Sequence, residues 1–593
     1  MRQKFETRIG KEQEKIKKEN VNFNIFGTLR LISFAMIVFF AYKYVKKPIN
    51  TFLYLLVLSV VLFIAFIIYH SKIRERLDFS KKIIGINERY LSRMDGSWVD
   101  FKDTGQEFVD KNHRYSSDLD IVGKRSLFQL INLTHTFYGR KIFANDLLES
   151  GYSKSEIEER QEAVKELKSK LDFCQELELK ASSENIKSPQ RMVGYFNEKK
   201  QAFSKTTSLF LRFVPVFTIL SSLIIIALGV ESLYRLVFFL FAIQALLWIV
   251  GMGKNNSILN NISYLSGNLE DYVEILKLIE EEEFKSSLLK RIKSKLFWDK
   301  ASLDGIKKLQ MINQRINIRS NGLLYILFNV LFLWDYQSSI ALEEWKLKFG
   351  RNVENWLQSI GKIESLSSLA VPLQIEEGLT FPSINQENFA IEAKDIGHPL
   401  INKKERIYND ILIDDQIIIV TGSNMSGKTT FLRTIGINIV LTNAGAASFS
   451  SSLSLPIMDL YTSMRIVDDL KNKISTFYGE LLRIKDILEY SKDHKSTFFL
   501  IDEIFRGTNS EDRIYGAKNV LRNLNNSGLM GAITTHDLEL CDLANNNPRV
   551  VNYNFRENYV DGKINFDYKI RKGRSTSTNA KHLMELVGIE LLE

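Results

Sequence analysis

Gln416-Ile-Ile-Ile-Val420-Thr421-Gly422-Ser-Asn-Met-Ser-Gly427-Lys428-Thr429 is the stretch whose reading decides the fold. Gln416 to Val420 reads as a short apolar strand, and Thr430 to Leu441 as the helix that follows the loop. Between them stands G-x-x-x-x-G-K-[ST], a pattern with chance matches when bare but specific between a strand and a helix. Its glycines let backbone N–H groups turn toward phosphate oxygens, and the helix N-terminus adds a favourable dipole. Gly422, Ser423, Asn424, Met425, Ser426, Gly427, Lys428, Thr429 and Thr430 are therefore expected to surround the phosphates of ATP. Lys428 would bridge the β- and γ-phosphates, where it also serves catalysis, and the Thr429 hydroxyl would ligate Mg²⁺.

Two more strands support this reading. Thr497 to Ile501 is apolar and delivers Asp502-Glu503 to its carboxyl end. Asp502 is expected to hold the magnesium through water, and Glu503 to orient the attacking water. The plain alternative is two carboxylates that merely cap a strand. Leu529 to Thr534 is a third apolar run and ends at Thr535-His536. A lone histidine is more often structural than functional, but this one follows a strand in the order expected of a γ-phosphate sensor.

These motifs resemble the MutS family. Thr421-Gly-Ser-Asn-Met-Ser-Gly-Lys-Thr-Thr-Phe-Leu-Arg433 is similar to the MutS P-loop, where Asn-Met precedes the last glycine. Asp502-Glu-Ile-Phe-Arg-Gly-Thr-Asn509 resembles its D-E-x-x-R-G-T segment, and Thr534-Thr-His536 its A-T-H. Arg465-Ile466, Asp468-Asp469-Leu470 and Ser475-Thr476-Phe477 are similar to a further MutS stretch ending in S-T-F. The resemblance implies that Ser475 or Thr476 reaches the nucleotide of an opposite subunit, so that a homodimer carries composite sites. Upstream, Asp118-Leu-Asp-Ile121, Gly123, Ser126-Leu-Phe128, Asn132, Thr134 and Gly139-Arg140 resemble the entry to the MutS helical core. Gly397-His-Pro399 is similar to the motif that opens its ATPase domain. Phe-x-Glu occurs at Phe196–Glu198 and Phe555–Glu557, but neither lies in a small N-terminal α/β domain, and both read as chance.

What precedes the core departs from that family. Thr51 to Tyr69 carries no charge, nor does Phe213 to Val230, and Leu236 to Gly253 has only Gln244 as a strongly polar group. A helix crosses the hydrocarbon core with about 20 mostly apolar residues. A fourth run, Phe23 to Tyr42, contains Arg30 near its start, where the side chain would snorkel toward headgroups. The four pair into hairpins with turns at Lys43–Asn50 and Glu231–Arg235. Leu323 to Trp334 is too short to span and reads as a buried core helix. The first twenty residues, with seven Lys/Arg against four Glu, read as a solvated basic tail or a nucleic-acid arm. From Glu156 to Leu369, outside the second hairpin, apolar residues recur at helical spacing, and Pro372, Gly378 and Pro382 mark a boundary.

The expected fold is an α/β P-loop ATPase domain of MutS/ABC-like type, plus a mostly α-helical core domain and four transmembrane helices in two hairpins. The expected order is a basic cytosolic tail (1–22), hairpin 1 (23–75), helical core (76–205), hairpin 2 (206–254), helical core (255–375) and ATPase domain (385–593). Cys174 and Cys541 lie far apart with no CxxC or Cys/His cluster, which argues against a disulfide scaffold and against structural zinc. The net charge of +9 is compatible with nucleic acid or an anionic membrane surface. The expectation is a membrane ATPase of the inner (cytoplasmic) membrane, its ATPase domain in the cytosol, with DNA and the lipid bilayer as partners. The alternative is a membrane ATPase that drives a conformational or transport-like change without DNA.

Overall fold

The computed structural model describes residues 1–149, 151–182, 189–198, 201–229, 231–263, 269–297, 301–465, 476–505, 510–560 and 563–575. The chain opens with two long helices, α1 (Arg2–Lys46) and α2 (Asn50–Asp95), joined at Lys47–Ile49. The basic N-terminal residues are not a solvated tail. They form the first half of α1 and pack against the second half of α2 as a two-helix stalk. Phe5 is buried and stacks on Tyr90 with ring centroids 5.0 Å apart. Arg2 reaches Asp95 at 2.6 Å, and the Tyr90 hydroxyl donates to Gln374 at 2.9 Å, rooting the stalk in the helical body.

Helix α3 (Phe137–Leu148) belongs to that body. Helices α4 (Lys205–Leu228) and α5 (Tyr234–Ser263) form the second hairpin, with Gly229 as a left-handed cap on α4 at φ +67°. The four hairpin helices are long and apolar enough to cross a membrane. In α1 and α2 only 6% of the most apolar window is buried, against 28% in α4 and 17% in α5. Gln244 is turned inward and fully buried.

Helix α6 (Gly322–Phe332) corrects an expectation: it is not a core helix. Leu323 is 84% exposed, Ile326 52% and Leu327 50%, and Asn329 is the residue it buries. After Leu333, held left-handed at φ +51°, the chain bends by 78° into α7 (Trp334–Ile375). This 42-residue helix is the axis of the body, and most of its residues from Asp335 to Gln374 are buried. Pro372 lies in its last turn. The helix runs on to Ile375, and the boundary follows at Glu376.

The ATPase domain is built on two sheets. A four-stranded sheet takes the order Ser383–Ile384, Ser452–Leu455, Ala390–Ile396, Asn409–Asp414. The main sheet contains β1 (Ile417–Thr421), β2 (Asp459–Ser463), β3 (Thr497–Ile501), β4 (Met530–Thr535), β5 (Val550–Val560) and β6 (Lys563–Lys572). Its order is β6-β5-β1-β4-β3-β2, parallel except for the antiparallel edge strand β6. Strands β1, β3 and β4 are buried along their whole length, as parallel strands covered on both faces must be. Side chains alternate across a strand. Ile418, Val420, Phe498 and Leu500 therefore enter one core, while Ile417, Ile419, Phe499 and Ile501 enter another.

The second of these cores is covered by α9 (Thr476–Asp493) and α10 (Ser510–Asn526), the helices that follow α8 (Lys428–Asn443) in the chain. The first is continuous with the helical body: Leu119, Phe128, Leu259, Ile360, Leu432 and Leu500 share one cluster. That cluster draws on residues before, between and after the α4–α5 hairpin. Both ends of the hairpin therefore return to one body.

Helices α3 and α7 cross at Gly139 and Gly361. A Cβ on Gly361 would lie 2.7 Å from the Gly139 backbone nitrogen, so backbone itself would have to shift. Gly361→Ala is expected to destabilise the protein by about 1–3 kcal/mol through overpacking. Gly85 in α2 has open space at its Cβ, and Gly85→Ala should stabilise by roughly 0.5–1 kcal/mol through helix propensity. Denaturation of both variants in detergent checks the pair, and equal shifts would refute the crossing argument.

Candidate functional site

The site lies at the carboxyl ends of β1, β3 and β4. The loop after β1 holds three residues at positive φ: Gly422 at +150°, Met425 at +67° and Gly427 at +103°. L-residues rarely adopt this region, which explains glycine at two of the three positions. Space matters as well. A Cβ on Gly422 would meet the Ser426 hydroxyl at 2.8 Å, and one on Gly427 the Tyr568 ring at 3.0 Å.

Gly427 caps α8, whose first residue is Lys428. The Lys428 ammonium is buried and donates to the carbonyls of Gly422 and Ser423, each at 2.9 Å. It thus spans the mouth of the loop. The Thr429 hydroxyl donates to Asp502 Oδ2 at 2.8 Å. The other Asp502 oxygen accepts the Thr534 hydroxyl at 2.6 Å, and that same hydroxyl accepts the Glu503 N–H at 2.8 Å. Glu503 sits at φ +47°, a conformation uncommon outside glycine, asparagine and aspartate. Its Oε1 lies 3.2 Å from His536 Nε2. Three strands, each spaced by sheet pairing, therefore bring Lys428, Thr429, Asp502, Glu503 and His536 into one network.

A cleft of about 420 Å³ opens beside this network, lined by Asn424 to Thr430 and by Glu503. Ser423 donates its hydroxyl to Glu557. Asn424 and Thr430 are exposed, and Met425 stands 85% exposed on the rim. Ser426 is buried with its hydroxyl unpaired. Ser475 lies outside the described residues, as do 466–474 and 506–509. Thr476 opens α9. Among the described residues no cluster of three or more His, Cys, Asp or Glu could hold a metal. The Thr429 hydroxyl and Asp502 carboxylate do fit magnesium, which usually takes one or two carboxylates and leaves its other positions to water and phosphate.

The sequence reading missed residues at the site, among them Tyr568 and Phe555, which line the cleft, and Glu557, which bonds the loop. Tyr568 sits at φ +53°, where the β5–β6 pairing shifts register between Phe566 and Ile570, and its ring lies over Gly427. A bulge of this kind leaves no sequence pattern. Phe555 and Glu557, read as a chance Phe-x-Glu, are also placed here. Phe555 lines the cleft and packs edge-on against Phe431 at 5.8 Å, and Glu557 holds Ser423.

The helical body holds the end of β2 and the helix α8 that follows the phosphate loop. Asp118 accepts the Thr462 hydroxyl at 2.6 Å and the Met464 and Arg465 N–H groups at 3.1 and 3.0 Å. Asp120 takes Arg465 in a two-bond fork, at 2.6 and 2.9 Å, and Arg433 of α8 at 3.2 Å. His398 of the Gly-His-Pro turn lies on the cleft wall. Burial first, and then the charges of Arg433 and Arg406, push its pKa down to about 3.

The family model described as MutS domain V matches residues 418–590. The DNA mismatch repair protein MutS of Aquifex pyrophilus is 28% identical over 261 residues, 43% of this chain and 30% of that protein. That of Streptococcus pyogenes serotype M1 is 29% identical over 247 residues, 40% and 29% of the two chains. That of Methanococcoides burtonii is 28% identical over 240 residues, 39% and 27%. The chain thus spans less than a third of the length of the curated relatives it matches.

The depressed histidine makes stability depend on pH. Unfolded, His398 titrates near its ordinary value of about 6.5. Folded, it stays neutral down to about 3. Between those values the unfolded state binds the extra proton, so this contribution is present above about 6.5 and is lost as pH falls. His398→Gln should therefore lose less stability than the parent between neutral pH and pH ~5. Urea midpoints measured across that range check the difference in slope; parallel slopes would refute a buried neutral histidine.

Proposed function

We propose that this chain, a MutS-family protein through its domain V at residues 418–590, is a membrane-anchored ATPase that binds and hydrolyses Mg-ATP as a dimer and binds DNA. The convergence of Lys428, Thr429, Asp502, Glu503 and His536 at three strand ends carries the ATPase part. Lys428 exchanges its two loop carbonyls for β- and γ-phosphate oxygens when nucleotide enters. Thr429 and Asp502 would hold magnesium, which supplies neutralisation of phosphate charge. Glu503 orients the attacking water, with His536 fixing the carboxylate and sensing the γ-phosphate. Tyr568 offers an aromatic face beside the loop. In the composite-site reading, Ser475 and Thr476 act on the nucleotide of the partner subunit.

DNA binding follows the name of the curated relatives, DNA mismatch repair protein, and the dimer follows the resemblance at Ser475-Thr476-Phe477. A second reading, an ATPase that moves a membrane-linked element without DNA, is favoured by one observation. Asp120 ties α8 to a body that carries the second hairpin through its core and the first through Tyr90 and Arg93. Binding of homoduplex and mismatched DNA by detergent-purified protein across a salt series separates the two readings. No ATP-sensitive binding at low salt would leave the second.

The membrane part is supported by apolar helix windows that are largely unburied and by the second hairpin, both ends of which root in one body. Exposed on a soluble protein, such surfaces aggregate. We assign the protein to the cytoplasmic membrane with the ATPase domain in the cytosol, where ATP is available. Lys72, Arg74 and Arg76, beyond the second apolar run, agree with that side.

Lys428→Ala should abolish most ATP binding, whereas Glu503→Gln should retain binding and slow hydrolysis by 100-fold or more, on the order expected for a water-positioning group. Equal loss of affinity in both variants would contradict the division of roles. Mixed with a Ser475→Ala/Thr476→Ala double variant, Lys428→Ala subunits should regain part of the activity. No recovery despite proven subunit exchange would mean self-contained sites.

The protein should stay in the membrane fraction after alkaline carbonate washing. Cysteines placed at Asn50 and Ser232 should react with an impermeant thiol reagent from outside the cell, and one at the exposed Lys492 should not. The native thiols, Cys174 and Cys541, are buried and give little background. Release without detergent would overturn the anchor.

A further inference from the structure

Helix α6 has no place in either the hairpins or the core. Its sequence, Gly322-Leu-Leu-Tyr-Ile-Leu-Phe-Asn-Val-Leu-Phe332, contains no charge, and Leu323, Leu324, Ile326, Leu327 and Phe332 are 38–84% exposed. At 1.5 Å per residue its 11 residues reach about 16 Å, roughly half a bilayer core. It cannot be the first half of a span completed by α7, because α7 is buried in the body from Asp335 onward.

Its neighbours say what covers it. Tyr325 packs edge-on against Trp248 of α5, ring centroids 5.5 Å apart. Arg319, just before α6, bonds Asn256 of α5, which lies beyond the apolar run ending at Gly253. The helix therefore starts beside the polar end of α5 and meets the level of Trp248, inside the apolar run. Around Trp248, α5 also carries exposed apolar side chains: Leu246, Ile249 and Val250 are 57–75% exposed. The few polar groups of α6 are satisfied inward. Tyr325 donates to Asp335 at 2.9 Å, Asn329 accepts the Asp335 N–H at 2.9 Å, and Arg319 pairs with Asp335 at 3.0 Å. Trp334, next to the bend, donates its indole N–H to the Arg315 carbonyl at 2.8 Å. What remains outward is apolar, as lipid requires.

We propose that α6 is a membrane-contacting element that does not span: it beds in the leaflet on the ATPase side, beside α5, with Leu323, Leu324, Ile326, Leu327 and Phe332 facing lipid. The inference rests on the membrane reading of hairpin 2. Because the 78° bend at Leu333 joins α6 directly to α7, the axis of the body is tied to the depth of this helix.

The test uses the full chain, with Cys174 and Cys541 replaced by serine, reconstituted in phosphatidylcholine vesicles. Single environment-sensitive probes are placed at Leu327→Cys, at Phe239→Cys in the second hairpin, and at the exposed Lys165→Cys as the aqueous reference. Fluorescence is quenched by shallow or deep doxyl-labelled lipid and by aqueous iodide. The expected result is loss at Leu327→Cys with shallow doxyl lipid and little loss with iodide, against deep-doxyl loss at Phe239→Cys. Iodide quenching at Leu327→Cys with lipid quenching at Phe239→Cys would overturn the inference and leave the anchor standing. Iodide quenching at both would overturn the anchor, and the inference with it. Shielding of Leu327→Cys from both quenchers would mean that protein, such as a second copy of the chain, covers α6, and would also overturn it.

Discussion

The Asp120 carboxylate stands between two guanidinium groups, Arg433 of the phosphate-loop helix and Arg465 at the end of the chain leaving β2. It is held at φ +53° on a turn of the helical body, so it cannot relax freely toward either. Arg433 lies five residues after Lys428, about one and a half turns along α8. Any displacement of α8 that follows phosphate entry is therefore felt at Asp120. Arg433 is half-buried, and burial lowers its pKa, so losing Asp120 would remove a compensating charge from a partly desolvated cation. Asp120 thus joins the helix behind the phosphate loop to the helical body.

The broader link is the shared core. Gly436 of α8 approaches Leu119 and Leu500 so closely that a Cβ there would lie 2.8–3.0 Å from their methyl groups. The ATPase sheet and the helical body thus have no slip plane between them at α8. Close-packed interiors transmit small shifts rather than absorbing them. A displacement of α8 would meet the body directly, with no gap to absorb it.

The sequence carried the site well where strand order and loop chemistry are local. The apolar runs before Gly422, before Asp502 and before Thr535-His536 became β1, β3 and β4, and sheet pairing set their ends side by side. What escaped was set by tertiary contacts. Tyr568 reaches Gly427 through a register shift, and Glu557 reaches Ser423 from a neighbouring strand. The basic start of the chain looked like a tail because its apolar contacts, such as Phe5 on Tyr90, are sparse and long-range. Leu323 to Trp334 looked like core because apolarity alone does not distinguish a helix covered by protein from one left bare.

The stalk has a consequence of reach. Residues 2–22 of α1 would extend about 31 Å as helix before its long apolar run begins. In α4 the corresponding lead, residues 205–212, is only about 12 Å. On the membrane reading, one root stands well off the bilayer while the other nearly touches it. A body hung from two struts of unequal length has a fixed attitude toward the surface. Copies in the same membrane would then meet with one face already aligned, so that association becomes a search in two dimensions with little rotation left to lose.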